Sequence, residues 1–153
     1  MPVLISILLA LAILIVVCFN TLDKWRFRAD RQYPYVRDLM EEWEAVTIQL
    51  LDLTGAQIPT VRVAGQKHPW EAVAAANRLA AACPVPDQIT ATAAPLLVRQ
   101  TQLEEELEVF LEVYNGLVRS YNKALRRPII RQLGRLLGWQ PWEPLQFTPA
   151  PSV

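Results

Sequence analysis

The chain has 153 residues, a formal net charge of zero and a hydrophobic fraction of 52%. This length accommodates one small domain with appendages, and the balanced charge disfavours nucleic-acid binding because no net positive field attracts phosphate. With one histidine and two cysteines the chain lacks clustered ligands for a zinc site, so we expect neither a metal nor another cofactor.

The first element is an apolar run, Val3 to Phe19, which has no charged residue and a single polar one, Ser6. At about 1.5 Å per residue it covers about 25 Å of hydrocarbon, enough for one transmembrane helix. A cleaved signal peptide is disfavoured, because no Lys or Arg precedes the run and no small-x-small cleavage site follows it. We therefore predict contact with membrane lipid through residues 3–19 and a membrane anchor over residues 1–28.

The basic residues beside this run predict its orientation. None precedes it, whereas a group follows it closely, namely Lys24, Arg26, Arg28 and Arg31. Because the cytoplasmic flanks of transmembrane helices carry an excess of Lys and Arg, we expect a single-pass protein with its body on the cytoplasmic side.

A helical bundle is predicted over residues 29–138. Tyr33-Pro34 is expected to break any helix that leaves the membrane, and a second helix then runs to Gly55. Its apolar residues recur at steps of three and four: Val36, Leu39, Met40, Trp43, Val46, Leu50 and Leu53. Residues 57–66 have the composition of a connecting loop. A third helix, rich in alanine, opens at His68 or Pro69.

The longest regular pattern predicts a helix from Pro95 to Arg127. Its apolar seam has the heptad spacing of coiled-coil packing: Leu103, Leu107, Phe110, Tyr114, Leu117, Tyr121 and Ala124. Three further residues widen the seam: Leu111, Val118 and Leu125. We expect the following side chains to face the bundle core: Leu107, Phe110, Tyr114, Leu117 and Tyr121 from this helix, with Val36, Leu39, Trp43 and Val73.

A Tyr-Asn pair occurs twice on this helix, seven residues apart, as Tyr114-Asn115 and Tyr121-Asn122. Heptad spacing places both pairs on one face. Either the tyrosines belong to the seam and the asparagines hydrogen-bond locally, or the face docks a partner. Glutamates early in the helix and basic residues late in it complement the helix dipole, and form either a self-stabilising solvated face or a functional acidic patch.

Pro128 interrupts the long helix, and Ile129 to Leu137 form a short basic amphipathic helix with Arg131 and Arg135 on its polar side. This helix is either a lid on the bundle or a contact for membrane or partner. If the bundle helices alternate in direction, about 50 Å of long helix carries Arg127 away from the bilayer, so we predict a membrane-distal position. Residues 139–153 contain four prolines and predict a loose tail, whose first part is pinned by Trp139, Trp142 and Phe147.

With these elements placed, the chain resembles the LemA family of bacterial membrane-anchored helical proteins, as a shortened or divergent member. Three motifs carry the resemblance: RADRQYPYVRDLM, KHPWEAVAAANRLAAA and VYNGLVRSYNKALRRP. The last is followed by LLGW at Leu136 to Trp139, where the family usually has a glycine-aromatic element. The residues that match the family pattern are Arg28, Pro34, Val36, His68, Glu71, Tyr114, Asn115, Val118, Tyr121, Asn122 and Pro128. The resemblance implies an all-α fold, in which a single transmembrane helix precedes an antiparallel three- to four-helix bundle in the bacterial cell membrane. It implies no established catalytic residue.

Two functions are consistent with this sequence. The first is a non-enzymatic membrane-anchored scaffold or adaptor that binds a protein partner or a second copy of itself, with no small-molecule substrate. The alternative is a membrane-associated accessory enzyme using His68 and Glu71, whose spacing of three brings them together on a helix. No nucleophile, metal-ligand set or phosphate-binding loop accompanies that pair, which favours the first.

Overall fold

The computed structural model describes residues 2–55, 60, 62–64, 66, 68–82 and 91–148. Within these ranges there is no strand, and the four helices are α1 Pro2–Thr54, α2 Pro69–Ala82, α3 Ala94–Leu125 and α4 Pro128–Leu137. The protein is therefore all-α, with a long apolar N-terminal helix and a packed bundle, which confirms the predicted fold class. The predicted loop at 57–66 lies partly outside the described residues.

Helix α1 continues through Pro34, so the predicted break at Tyr33-Pro34 is wrong. Proline has no N–H, which leaves the carbonyl of Asp30 without its usual helical partner. Pro34 and Asp30 are both exposed, so water can bond to that carbonyl, while Ala29 and Val36 on either side of the proline are buried. Packing of α1 through Ala29 and Val36 therefore sustains a helix that the local effect of proline alone would end.

Helix ends follow local sequence signals. α1 stops before Gly55, which adopts a left-handed φ of 68° that a residue with a Cβ rarely takes. α4 begins at Pro128, where a missing N–H costs nothing, and ends at Gly138, with a φ of 70°. The carbonyl of Gly134 accepts from the N–H of Gly138 and of Trp139, which completes the cap. These three ends agree with the sequence predictions.

The chain divides into two compact units to which both long helices contribute. Unit 1 comprises residues 1–31 and 115–144, and unit 2 comprises residues 32–114 and 145–153.

In unit 2, α1 and α3 run antiparallel. The side chain of Gln100 donates to Thr47 Oγ1 at 3.3 Å, and Trp43 Nε1 donates to Glu104 at 3.0 Å. Sequence positions therefore rise along α3 as they fall along α1. The largest fully buried side chains of this unit come from four segments: Val36, Met40, Trp43, Thr47, Leu51, Val63, Leu79, Leu103 and Leu107.

The buried stripe of α3 is rotated slightly from the predicted seam, although Leu103 and Ala124 of that seam are buried as predicted. Leu107, Tyr114 and Tyr121 are buried as expected, but Phe110 and Leu117 are only half-buried. The residues expected merely to widen the seam, Leu111, Val118 and Leu125, are buried instead. From the other helices, Val36, Trp43 and Val73 are buried and Leu39 is half-buried. Helical spacing is compatible with either set of residues, and packing against the neighbouring helices selects Leu111 and Val118 over Phe110 and Leu117.

Unit 1 has its own core at the C-terminal end of the apolar run. One cluster joins residues from α1, α3 and α4: Cys18, Leu22, Tyr121, Ala124, Leu125 and Ile130. Leu133 and Trp139 pack against it, and the Phe19 and Trp139 rings lie 5.4 Å apart. The prediction that α4 lies at the end of the bundle away from the apolar run is therefore wrong. It assumed alternating helix directions from the membrane outwards, whereas the C-terminal end of α3 packs beside Cys18.

Candidate interaction surfaces

Residues 139–148 follow α4 as a segment without helix or strand, and side chains of the helices hold their backbone. In unit 1, Asn122 Nδ2 donates to the carbonyl of Trp142 at 2.7 Å, and Asn122 Oδ1 accepts from the N–H of Trp142 at 2.9 Å. One amide therefore satisfies both backbone groups of one residue, as a neighbouring β-strand would.

Tyr121, next to Asn122 on α3, contacts the same segment. Its hydroxyl donates to the carbonyl of Gln140 at 3.3 Å, and its ring lies 5.2 Å from the ring of Trp142. The second Tyr-Asn pair thus binds the protein's own C-terminal segment in unit 1. Tyr121 is buried in the seam, as the first interpretation of the motif expected, and Asn122 bonds to the protein's own chain. Docking of a partner on this face stays a prediction.

A second asparagine acts in the same way in unit 2. Asn77 Nδ2 donates to the carbonyl of Gln146 at 2.8 Å, and Asn77 Oδ1 accepts from the N–H of Thr148 at 2.8 Å. The residue between them, Phe147, meets Trp43 edge to face at 5.2 Å, and Leu145 is buried. The expected loose tail is therefore held over its described part, by the three aromatic residues predicted to pin it together with Leu145. Residues 149–153 lie outside the described part.

Sequence reasoning missed the role of Asn77, although the sequence carried a signal. Asn77 interrupts the narrow stripe that Val73 and Ala80 form on α2, and both of those residues are buried. Asn77 is half-buried, and a polar side chain between two buried residues of one stripe indicates a nearby hydrogen-bond partner. The partner lies 69 and 71 residues further along the chain, which no local pattern identifies.

Two glutamates of unit 2 have structural roles that the sequence did not reveal. Half-buried Glu104 accepts from Trp43 Nε1 at 3.0 Å, and burial raises the pKa of its carboxyl, partly offset by that hydrogen bond. Glu44 is buried, and its two oxygens accept from the N–H groups of Val63 at 3.0 Å and Ala64 at 3.2 Å. Glu44 thus attaches this short segment to α1.

The other residues of the family-like motifs differ in burial. Tyr114, Val118 and Val36 are buried, and Asn115 is half-buried. Pro34 and Pro128 are exposed, within α1 and at the start of α4. Arg28 is exposed with its guanidinium 5.6 Å from the ring centre of Trp25. In these motifs, burial accounts for the apolar positions, and the geometry of a helix start accounts for Pro128.

His68 and Glu71 are exposed at the start of α2. The imidazole stacks on the Trp70 ring with centres 4.5 Å apart, and the His68 carbonyl accepts from the backbone N–H of Glu71. Among the described residues no ion pair joins the two side chains, and no group of three or more His, Cys, Asp or Glu is arranged to hold a metal. Their arrangement is that of a helix start.

The N-terminal part of α1 presents a long exposed apolar surface. Every side chain from Val3 to Val17 is exposed, and 6% of the most apolar stretch is buried. In the described part of the chain, α1 is the one helix long and apolar enough to cross a membrane.

Formal charge is divided unevenly between the units. Unit 1 has ten Lys and Arg against three Asp and Glu, a net charge of +7, and unit 2 has five against twelve, a net charge of −7. The net charge of the chain is therefore zero because the positive charge of unit 1, which contains the apolar run, equals the negative charge of unit 2.

The comparisons with known proteins found no match: no protein-family model, no curated protein and no solved structure matches the chain.

Proposed function

We propose that the protein is a non-enzymatic, membrane-anchored helical adaptor of the LemA type, with a single transmembrane helix and its body on the cytoplasmic side of a bacterial membrane. The observation that carries the proposal is the exposure of the whole apolar face of α1 from Val3 to Val17, continuous with a helix whose later turns pack into a bundle. The anchor sets the location and the bundle presents the binding surface.

The energetic reason for an anchor is the amount of apolar surface. Burial of apolar surface is favourable by roughly 25 cal/mol per Å², so fifteen successive exposed side chains, mostly Leu, Ile, Val and Ala, cannot remain in water without association. A lipid bilayer covers such a helix on all sides, and the helix satisfies its own backbone hydrogen bonds within the hydrocarbon.

The adaptor role is supported by apolar side chains that remain exposed in unit 2. Val109 and Val113, one turn apart on α3, are exposed, and neighbouring half-buried Phe110 stacks with exposed Tyr35 at 6.4 Å. Apolar and aromatic residues grouped on a polar helical surface are typical of a protein-binding site. The partner is a second protein or another copy of this chain.

The anchor is tested with Leu9→Arg and its matched control Val109→Arg, since both wild-type side chains are 62% exposed. Arginine at the centre of a span costs about 2.5–3.5 kcal/mol on insertion scales, so Leu9→Arg should move a large fraction of the full-length protein into the alkaline-extractable fraction. Val109→Arg should remain in the membrane pellet. Complete extraction of the wild-type protein by alkaline carbonate would refute the anchor.

The adaptor role is tested by affinity capture from gently solubilised membranes. The wild-type protein should recover a stoichiometric partner or a homo-oligomer, and Val109→Lys with Val113→Glu should lose it without loss of the helical circular-dichroism signal. Arg62→Glu, a change at an exposed residue elsewhere in unit 2, is the control. A wild-type monomer with no co-purifying protein would count against the adaptor.

A further inference from the structure

We propose that α4 binds the surface of an anionic bilayer and lies in the headgroup layer beside the point where α1 leaves the hydrocarbon. This inference rests on the proposed membrane anchor and adds a second membrane contact to it, made by a different part of the chain.

The position of α4 within unit 1 is the first support. Ile130 is buried in one cluster with Cys18 and Leu22, and Leu133 packs against that cluster. Cys18 belongs to the last turn of the uncharged run, and Asp23 and Lys24 are the first charged residues after it. If the run occupies hydrocarbon, α4 lies at the level where hydrocarbon gives way to headgroups.

Aromatic residues mark the same level. Trp25, Trp139 and Trp142 all pack against this cluster while remaining partly exposed, and Trp139 contacts Phe19. Tryptophan is enriched at membrane interfaces, because its ring favours an apolar environment while its N–H favours water or lipid headgroups. Three of the five tryptophans of the chain therefore lie where an interfacial belt is expected.

The apolar side of α4 is only partly covered by the rest of unit 1. Ile130 and Gly134 are buried against unit 1, whereas Ile129, Leu136 and Leu137 are exposed, Leu136 to 83%. Helical geometry places Ile129 and Leu136 on one side, seven residues apart. Part of the apolar face of α4 is therefore packed inside unit 1, and the rest is exposed. Because α4 lies beside the apolar run of α1, the lipid that covers that run would also cover the exposed part.

Charge selects an anionic surface as the occupant. Arg126, Arg127, Arg131 and Arg135 on and before α4 are exposed, and unit 1 has a net charge of +7. A basic residue beside an anionic leaflet contributes about fivefold to the binding equilibrium, and long arginine side chains reach phosphate while their aliphatic stems contact apolar groups. An anionic bilayer offers phosphate to the arginines and acyl chains to Ile129 and Leu136 at the same place, beside the apolar run.

The test measures the depth of single labelled sites in the full-length protein. Leu136→Cys, Leu9→Cys and Val109→Cys are each made in a Cys18→Ala, Cys83→Ser background, labelled with an environment-sensitive fluorophore and reconstituted into vesicles. The vesicles are phosphatidylcholine with or without phosphatidylglycerol, and carry quencher lipids with the quencher near the headgroup or deep in the chains. Circular dichroism must match the wild type before labels are compared.

We expect the Leu136 label to be quenched by headgroup-proximal quenchers in vesicles that contain phosphatidylglycerol. Arg131→Glu with Arg135→Glu should reduce that quenching several-fold, whereas Arg62→Glu with Arg78→Glu, exposed arginines of unit 2, should leave it unchanged. The Leu9 label should be quenched by deep quenchers in both lipid mixtures, and the Val109 label in neither.

The outcomes separate this inference from the anchor on which it rests. A Leu9 label that deep quenchers do not reach would overturn the anchor and this inference together. A quenched Leu9 label with an unquenched Leu136 label would overturn the inference alone, and would leave an acidic protein as the ligand of the arginines. Quenching of Leu136 that is equal with and without phosphatidylglycerol would overturn the role of anionic lipid.

Discussion

The side chain of Asn122 holds both backbone groups of Trp142, donating to its carbonyl and accepting from its N–H. The two residues are 20 positions apart, with a complete helix, α4, between them. By fixing Trp142, this contact determines where the chain runs after α4 and brings an aromatic side chain against Tyr121. The amide of Asn122 thus holds one residue of a segment that has no regular structure of its own.

Asn122→Ala should weaken this attachment. It leaves the two backbone groups of Trp142 without their partner, at a cost of about 1–3 kcal/mol if they remain buried, or the segment detaches and recovers those bonds with water. Hydrogen exchange of the full-length protein in detergent should show faster exchange at the Trp142 amide. Gln102→Ala, at an exposed residue of α3, is the control. Unchanged protection of Trp142 in Asn122→Ala would show that the amide does not hold the segment.

Asn77 and Phe147 should be energetically coupled in unit 2. Asn77 bonds the residues on both sides of Phe147, whose ring meets Trp43, so loss of either contact should weaken the other. A double-mutant cycle of Asn77→Ala and Phe147→Ala, followed by chemical unfolding, should give an interaction energy of about 0.5–3 kcal/mol. Strictly additive effects would mean that each contact forms without the other.

Glu104 should make the stability of the protein depend on pH. Because burial raises its pKa in the folded protein, the folded state retains the proton that the unfolded state loses between about pH 4.3 and the raised value. The contribution of Glu104 to the free energy of unfolding is therefore present below this window and is lost as pH rises through it. Glu104→Gln has no charge and keeps an oxygen for Trp43, so its advantage over wild type should grow across the window and then level off.

The measurement is the free energy of unfolding of both proteins at a series of pH values, taken as a difference so that other groups cancel. Glu108→Gln, at an exposed glutamate of the same helix, serves as the control for the removal of one carboxylate. A difference between Glu104→Gln and wild type that is constant with pH would contradict the assignment.

The rotated seam of α3 leads to a ranking of two core substitutions. Leu107 is fully buried, so Leu107→Ala should cost about 2–5 kcal/mol. Phe110 is half-buried, with its ring against exposed Tyr35, so Phe110→Ala should cost less in spite of the larger group removed. Thermal melting of both variants in detergent decides the order. A larger loss of stability for Phe110→Ala than for Leu107→Ala would show that Phe110 lies at the centre of the seam, as the sequence pattern predicted.

Much of the fold could be predicted from sequence because its causes are local. Gly55 ends α1, Pro128 begins α4, and the spacing of Leu103, Leu107 and Tyr114 indicates a long packed helix without reference to any distant residue. The uncharged run was identified by composition alone. At each of these sites the preferred backbone angles, or the length of an apolar segment, decide the outcome.

Tertiary structure decided what depends on distant residues. Pro34 is tolerated inside α1, where Ala29 before it and Val36 after it are buried. In α3, Leu111 is buried and Phe110 half-buried, because packing decides which residues of an apolar helix face the core. Asn77 and Asn122 find partners in a segment far along the chain. The place of α4 beside Cys18 follows from the direction of α3. Helix direction in a bundle is set by the energy of whole packed faces, which no local pattern contains.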